Sequence, residues 1–380
     1  MAALLVDKAT GLTKADEASK MSQNGKEGEV SVLAGLVMSG NTPVAQFSGR
    51  VVTPILPERV PLCFMNGGDL EEWLKMRAVD QRRKNGRILK RLLRLGDTSD
   101  LNTALRVHGA KITDNYWFKT VAEQDLKWED VRFSQDYFAD VALQGSIDTF
   151  TRHYTPEQLH TPTPELTNTG SFEKCWRLID GQWVMLKQGS ENELFSEIFV
   201  SELGKKLGFQ MADYRIIDGC AATVDFTKGQ LNFEPMAYLS GENGESVDNY
   251  KVLKRLHPGL EREYLDILFM DALVYNVDRH TQNFGILRDG ETGAILSMAP
   301  NFDNNIALIS GGYTADPVQT YNRMANMFRK LLDAEGISYQ FPALAESLVR
   351  DVASEVIPGT NIDREYVVKF VMANFRKLTR

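Results

Sequence analysis

The chain has 380 residues, 43% hydrophobic and 25% charged, the balance of a soluble globular protein with room for two or three domains. A net charge of −8 and a pI near 5.4 argue against generic nucleic-acid binding, which needs a basic face. No apolar run approaches the ~20 residues that span a bilayer, and Cys63, Cys175 and Cys220 form no CxxC motif, so a cytoplasmic, reducing location without zinc knuckle or disulfide framework is expected.

Residues 1–28 are polar with little periodicity, and the opening apolar stretch is too short for a signal-peptide core. Val30-Ser31-Val32-Leu33 and Val44-Ala45-Gln46-Phe47 alternate as strands do. From about Asp69 to Leu95 a basic amphipathic helix pair is expected, with Lys75, Arg77, Arg82, Arg83, Lys84, Arg87, Lys90, Arg91 and Arg94 interleaved among Trp73, Leu74, Leu89 and Leu92. A solvated helix face is the plain reading of such a run; a surface for a protein partner or an anion is the alternative. Residues 151–169, with Pro156, Pro162 and Pro164, read as a linker, and His153 and His160 within it lack metal-ligand spacing.

The next stretch carries the chemistry. Thr167-Asn168-Thr169-Gly170-Ser171 is a small-residue loop entering the strand Cys175–Ile179. Asp180-Gly181 then gives a hairpin turn, because a type I′ turn needs positive φ. The return strand Gln182–Lys187 ends on a lysine. The mouth of such a hairpin, at Thr169, Gly170 and Ser171, can lay backbone N–H groups over phosphates. Leu194, Phe195, Ile198, Phe199, Leu203 and Leu207 form the apolar stripe of a following helix, stopped at Gly208. Glu197, beside core-facing Ile198, is placed to pair with Lys187 and hold it toward the α- and β-phosphates of a nucleotide. Glu193 and Glu202 are competing partners.

Ala221–Phe226 and Leu231–Ala237 read as strands, the second ending in a Pro-containing hinge whose backbone, from Glu234 to Met236, would pair with adenine. A helix from about Glu261 to Asn276 delivers the run Asp278-Arg279-His280-Thr281-Gln282-Asn283, and Asp303 follows in Phe302-Asp303-Asn304. Phosphoryl transfer needs one carboxylate to orient and deprotonate the acceptor hydroxyl. It also needs an amide oxygen and a second carboxylate to hold Mg2+ against ATP. Asp278 fits the first role, Asn283 and Asp303 the second. His280 either takes part directly or braces the loop. Three helices, near 317–334, 341–355 and 363–378, close the chain.

In this order of parts, from Gly170 to Asp303, the chain resembles the HipA-like serine/threonine kinases. The stretch Asp114-Asn115-Tyr116-Trp117-Phe118-Lys119 through Leu126–Asp130 is similar to segments preceding the kinase core in that family. The resemblance implies an α+β, two-lobed protein-kinase-like fold, with a β-rich small lobe (151–245), a helical large lobe (246–380) and an N-terminal accessory region (1–150). It makes Lys187 the nucleotide lysine, Glu197 its partner, Asp278 the base, and Asn283 and Asp303 the metal ligands, with ATP and Mg2+ as cofactors. It also implies inhibitory autophosphorylation of the phosphate loop, where Thr167 stands at the family's Ser, and an antitoxin-like protein partner. Arg279-His280 follow the catalytic Asp, and Phe302-Asp303-Asn304 replaces Asp-Phe-Gly, so a mobile activation segment of the usual kind is not implied. The leading reading is a protein Ser/Thr kinase. A small-molecule kinase of the same fold and a nucleotide-binding pseudokinase acting as an interaction module are the alternatives.

Overall fold

The computed structural model describes residues 33–95, 99–145, 154–318 and 321–379. Three antiparallel sheets and a helical body make up these residues. The first sheet has the order β3-β2-β1-β4, with β1 Ala34–Ser39, β2 Thr42–Ser48, β3 Val51–Pro54 and β4 Tyr116–Thr120. Val37, Val44, Ala45 and Phe47 point to one face and pack on Phe64, Trp73 and Leu74. The expected first strand starts later than its sequence pattern suggested, and Val30–Val32 lie outside the described residues.

The basic run departs from expectation. It folds as a short helix, Leu70–Lys75, and helix α1, Lys84–Leu92, joined by a loop in which two arginines turn inward. Arg77 is fully buried, donates two hydrogen bonds to Asp114 at 2.9 and 2.6 Å, and lies 4.5 Å over the Trp73 ring. Arg83 is equally buried and donates to the Lys174 carbonyl at 2.6 Å. These two cations are internal ties, not part of a solvated face. A buried guanidinium needs a carboxylate or several carbonyls around it, and both find them.

The second sheet, β5-β6-β8-β7, is built from β5 Lys174–Ile179, β6 Gln182–Lys187, β7 Arg215–Ile217 and β8 Cys220–Val224. Asp180 and Gly181 have φ of 50° and 75°, as a type I′ turn requires. Helix α2, Glu191–Lys206, is started by a capping box between Ser190 and Glu193; Glu193 is thereby engaged at the helix start, and Glu202 pairs with Lys205 at 2.8 Å. On α2, Gly204 lets Met211 approach, since a Cβ there would lie 2.5 Å from its sulfur.

β9, Leu231–Pro235, does not join the small-lobe sheet. It forms a third sheet, β11-β10-β9, with β10 Gly285–Asp289 and β11 Ile295–Met298. Gly285 sits opposite Pro235, where any Cβ would come 2.1 Å from the Glu234 carbonyl oxygen. The large lobe holds α3 Ser246–Leu256, α4 Leu260–Val274, α5 Arg323–Glu335, α6 Glu346–Glu355 and α7 Arg364–Leu378. The second half of α4 is buried on every side, so its sequence from Ile267 to Val274 is apolar except for Asp271, the charge in its midst. The fifth to seventh helices begin several residues or one residue later than their apolar patterns; the fifth and seventh start at side-chain caps, where Asn322 and Asp363 accept from the Ala325 and Tyr366 N–H groups at 2.9 Å, while the sixth has no such cap.

The expected linker is no spacer in its described part. Thr163–Asn168 are buried, with Pro164–Thr167 forming a 3₁₀ turn whose Leu166 carbonyl accepts from the Val79 N–H at 2.7 Å. Glu165, fully buried, accepts from Trp176 N–H at 2.8 Å and Asn168 Nδ2 at 2.7 Å. Backbone polar groups inside the protein must find such partners, and here the N-terminal region and β5 supply them. Leu89, Trp117, Phe138, Val141, Leu166 and Trp176 share one core, so the residues before 150 and the second sheet are packed as one body.

Candidate active site

A cleft of about 500 Å³ is walled by the β5–β6 hairpin, the loop 167–172, the loop after α4, and a face of the N-terminal region that includes Met76, Lys111 and Asp114. Lys187 ends β6 with 7% exposure. Its Nζ lies 3.5 Å from Glu197 Oε2 and 2.6 Å from Asn305 Oδ1, and it also donates to the Asp303 carboxylate. Burial disfavours the ammonium, but Asp303 and Glu197 more than offset this and raise its pKa. Burial pushes Glu197 up while Lys187 pulls it back. Glu197 Oε1 accepts from the Asn304 N–H at 2.6 Å. Burial likewise opposes ionisation of Asp303, yet Lys187 and Lys174 reverse it and hold the carboxyl well below the usual range.

Asp278, Asn283 and Asp303 all border this cleft. Asp278 is exposed to it, its N–H donating to Asn276 Oδ1 at 3.2 Å. Asn283 Nδ2 donates to the Asp278 carbonyl at 3.0 Å, which fixes the amide and leaves its Oδ1 as the acceptor oxygen. Asp303 takes φ of 62°, a conformation unusual for a residue with a side chain; beside it Phe302 lines the cleft and Asn304 is buried. His280 is exposed on the cleft, and its Nδ1 accepts from the Gln282 N–H at 3.3 Å.

The pieces are locked by residues that sequence reasoning passed over. Arg279, its side chain buried, pairs with Asp271 at 2.9 Å. It also donates to the carbonyls of Asn283 and Phe302 at 2.7 Å and to Asn301 and Asn304 Oδ1 at 2.8 and 2.7 Å. One guanidinium therefore joins the end of α4, the loop 278–283 and the loop 301–304. The signal was present: a carboxylate inside the apolar run of α4 needs a buried cation, and Arg279 lies two turns beyond it. Lys174 was also missed. It faces Lys187 across the β5–β6 ladder, and burial lowers its pKa to about 8, with Asp303 opposing and Lys187 assisting.

Thr167, Thr169, Gly170 and Ser171 line the same cleft. Gly170 has φ of 86°, a conformation that favours glycine, and a Cβ there would come 3.0 Å from Lys174 Nζ, so the loop lies close over the second lysine. Thr167 is buried and its hydroxyl donates to the Pro164 carbonyl at 2.7 Å. Glu234 and Met236 are not brought into the cleft. Side chains alternate along a strand, so Phe233 and Pro235 face the cleft. Glu234 points the other way, to Arg288 at 2.6 Å and the Leu62 N–H at 2.6 Å. The Met236 N–H donates to the Phe284 carbonyl at 2.9 Å. In their place the wall offers Phe226, Phe233 and Phe302, with ring centroids 5.6–5.7 Å apart. Among the described residues, no helix is long and apolar enough to cross a membrane.

No protein-family model and no curated protein matches the chain. Solved structures do. One is HipA of Shewanella oneidensis MR-1, from a toxin–antitoxin complex with HipB and operator DNA. It has a TM-score of 0.53 and 13% identity, and the likeness covers 91% of this chain and 97% of that one. Another is the Helicobacter pylori proinflammatory kinase CtkA, at TM-score 0.42 and 17% identity, covering 54% of this chain and 90% of that one. The likeness to HipA runs over nearly the whole of both chains: this chain has the HipA-like, two-lobed kinase fold.

Proposed function

We propose that the chain is an ATP- and Mg2+-dependent kinase that moves the γ-phosphate of ATP to a Ser or Thr hydroxyl of a protein. The observation that carries this reading is the meeting of Lys187, Asp278, Asn283 and Asp303 at one cleft, with buried Glu197 behind Lys187, although they come from separate stretches of the chain. In this mechanism Asp278 orients the acceptor hydroxyl and takes its proton as the oxygen bonds to the γ-phosphorus and the bond to the β–γ bridging oxygen breaks, releasing ADP. Lys187, kept charged by two carboxylates, faces the phosphates, with Lys174 as a second cation beside it.

The metal donors fit the ion. Asn283 Oδ1 and an ionised Asp303 are hard oxygen ligands, as Mg2+ prefers, and this ion commonly takes only one or two carboxylates and fills its shell with phosphate oxygens and water. Among the described residues no group of three or more His, Cys, Asp or Glu side chains could hold a metal, so in this reading the phosphates complete the site. Bound there, Mg2+ neutralises charge developing between the β- and γ-phosphates.

The HipA structure stands in a complex with HipB, which supports a protein partner of the antitoxin kind; phosphorylation of Thr167 is what the family resemblance of the phosphate loop implies. Because the Thr167 hydroxyl is buried against Pro164, its modification requires the turn 164–167 to leave its seat. Phosphate there would add about two negative charges beside the nucleotide phosphates and repel them. Mass spectrometry after incubation with ATP is expected to find phosphate on this loop, and its absence while a substrate is still phosphorylated would remove that part of the reading. For the kinase reading itself, labelled ATP and cell lysate provide the assay. Asp278→Asn is expected to bind ATP as before and lose at least ~10²-fold in transfer; equal transfer by variant and wild type would reject Asp278 as the base.

A further inference from the structure

β9 is an edge strand, paired with β10 on one side only. Main-chain polar groups alternate between the two edges of an antiparallel strand. Asn232 and Glu234 turn theirs toward β10, while Leu231, Phe233 and Pro235 turn theirs to the open edge. That edge has no N–H to offer. The Leu231 N–H donates to the Thr227 carbonyl at 3.1 Å and the Phe233 N–H to the Thr113 carbonyl at 2.9 Å, and a proline has none. Just beyond, the Met236 and Ala237 N–H groups are taken by the carbonyls of Phe284 and Thr281 at 2.9 and 3.0 Å. The Phe233 and Pro235 carbonyls accept from no other described residue. Both residues line the active-site cleft, so this strand meets a ligand with acceptors alone.

The rest of this end of the cleft is mostly aromatic and apolar. Met185 lies two residues before Lys187 on β6, hence on the same face, and stands opposite Trp176 of β5. Both line the cleft with Phe226, Phe233 and Phe302. The polar side chains nearby are engaged elsewhere. Asp114 accepts from Arg77, the Tyr238 hydroxyl lies beside the same guanidinium, and Lys111 Nζ donates to the Met76 carbonyl at 3.2 Å. Aromatic walls hold any purine, because every base has a π face. What separates adenine from guanine is the hydrogen-bonding edge: adenine has an amine beside a ring nitrogen that accepts, whereas guanine has a ring N–H and an amine beside a carbonyl. A carbonyl edge suits an N–H of either base. It has no donor to favour the accepting nitrogen of adenine or to be blocked by the ring N–H of guanine.

We propose that the cleft takes purine nucleoside triphosphates without distinguishing ATP from GTP, and that Pro235 removes the distinction. Resting on the kinase reading above, the assignment widens the class of phosphate donor: the γ-phosphate of GTP passes to the same hydroxyl and GDP leaves. The test is calorimetric titration of the full-length chain with ATP, GTP and CTP in the presence of Mg2+. ATP and GTP are expected to bind within about threefold of each other, and CTP, with its smaller ring to stack, at least about fivefold more weakly. Pro235→Ala puts an N–H on the open edge and is expected to shift the ratio about tenfold toward ATP, the size of one net hydrogen bond. ATP bound more than about tenfold more tightly than GTP by the wild type would overturn the assignment. So would CTP bound as tightly as the purines, or an unchanged ratio in a Pro235→Ala chain that melts normally; if that variant does not fold, the wild-type ratios decide. Transfer from γ-labelled ATP and GTP to protein is scored separately. Equal binding of the two purines without transfer keeps the assignment and overturns the kinase reading; transfer from ATP with GTP excluded keeps the kinase reading and overturns the assignment.

Discussion

Replacing Arg279 by Met tests the internal logic of the site most directly. The guanidinium is fully buried and has acceptors on Asp271, Asn283, Phe302, Asn301 and Asn304. Its removal leaves a buried carboxylate without a counter-charge and several oxygens without donors, a loss of about 3–5 kcal/mol by the measure of broken buried pairs. Asp271→Asn is expected to cost less, about 1–3 kcal/mol. There Arg279 keeps its other acceptors, and the new amide oxygen still accepts one N–H. Combining the two substitutions is expected to cost less than their sum by about 2 kcal/mol, since no orphan carboxylate remains. The pH dependence follows in sign. Burial already raises the Asp271 pKa against the pull of Arg279, and losing that pull raises it further. The Arg279→Met chain then binds a proton that its unfolded form gives up, so its deficit is largest at neutral pH and shrinks toward about pH 4. Urea unfolding followed by tryptophan fluorescence at several pH values reads all of this. A variant Arg279→Met no less stable than Asp271→Asn, or a deficit that grows as pH falls, would refute the reasoning.

Burial pushes Glu165 up to about 8 from 4.5, against the Trp176 N–H and the Arg83 charge. The folded chain thus holds a proton that the unfolded chain releases across that window, and this group's contribution to stability falls as pH rises through it. Glu165→Gln is expected to flatten the slope; identical slopes for variant and wild type in unfolding titrations would contradict the assignment. Arg288 joins Glu234 on β9 to the carbonyls of Val60 and Glu58 in the N-terminal region. Arg288→Met is expected to cost about 3–5 kcal/mol and to loosen the segment around residues 56–66. Hydrogen exchange that stays unchanged there would show that this pair does not tie the two regions.

Local rules reached far into this chain. The Asp180-Gly181 turn, the capped helix ending at Gly208 and the apolar helix before Asp278 are each set by neighbours in sequence, through φ preference, capping and a 3.6-residue period. Lys187 and Glu197 also fall within one hairpin and one helix, so their approach follows from strand direction and helix phase. The side chains of Glu234 and Met236 fall outside the cleft lining because strand alternation turns Glu234 away and β9 pairs with β10, some fifty residues on. No local pattern names a partner at that distance.

The types and order of the reactive side chains belong to the sequence, since period, turn chemistry and spacing are short-range. Which charges lie inside was decided only on folding. Arg77, Arg83, Arg279 and Arg288 look on paper like surface cations, and the side chain of each is buried against a carboxylate or carbonyls supplied from elsewhere. So too with the cleft's second wall, given by residues 76–114 of a region that the linear pattern set apart. Desolvation makes an unpaired charge costly, and whether a partner is at hand depends on segments that meet only in three dimensions.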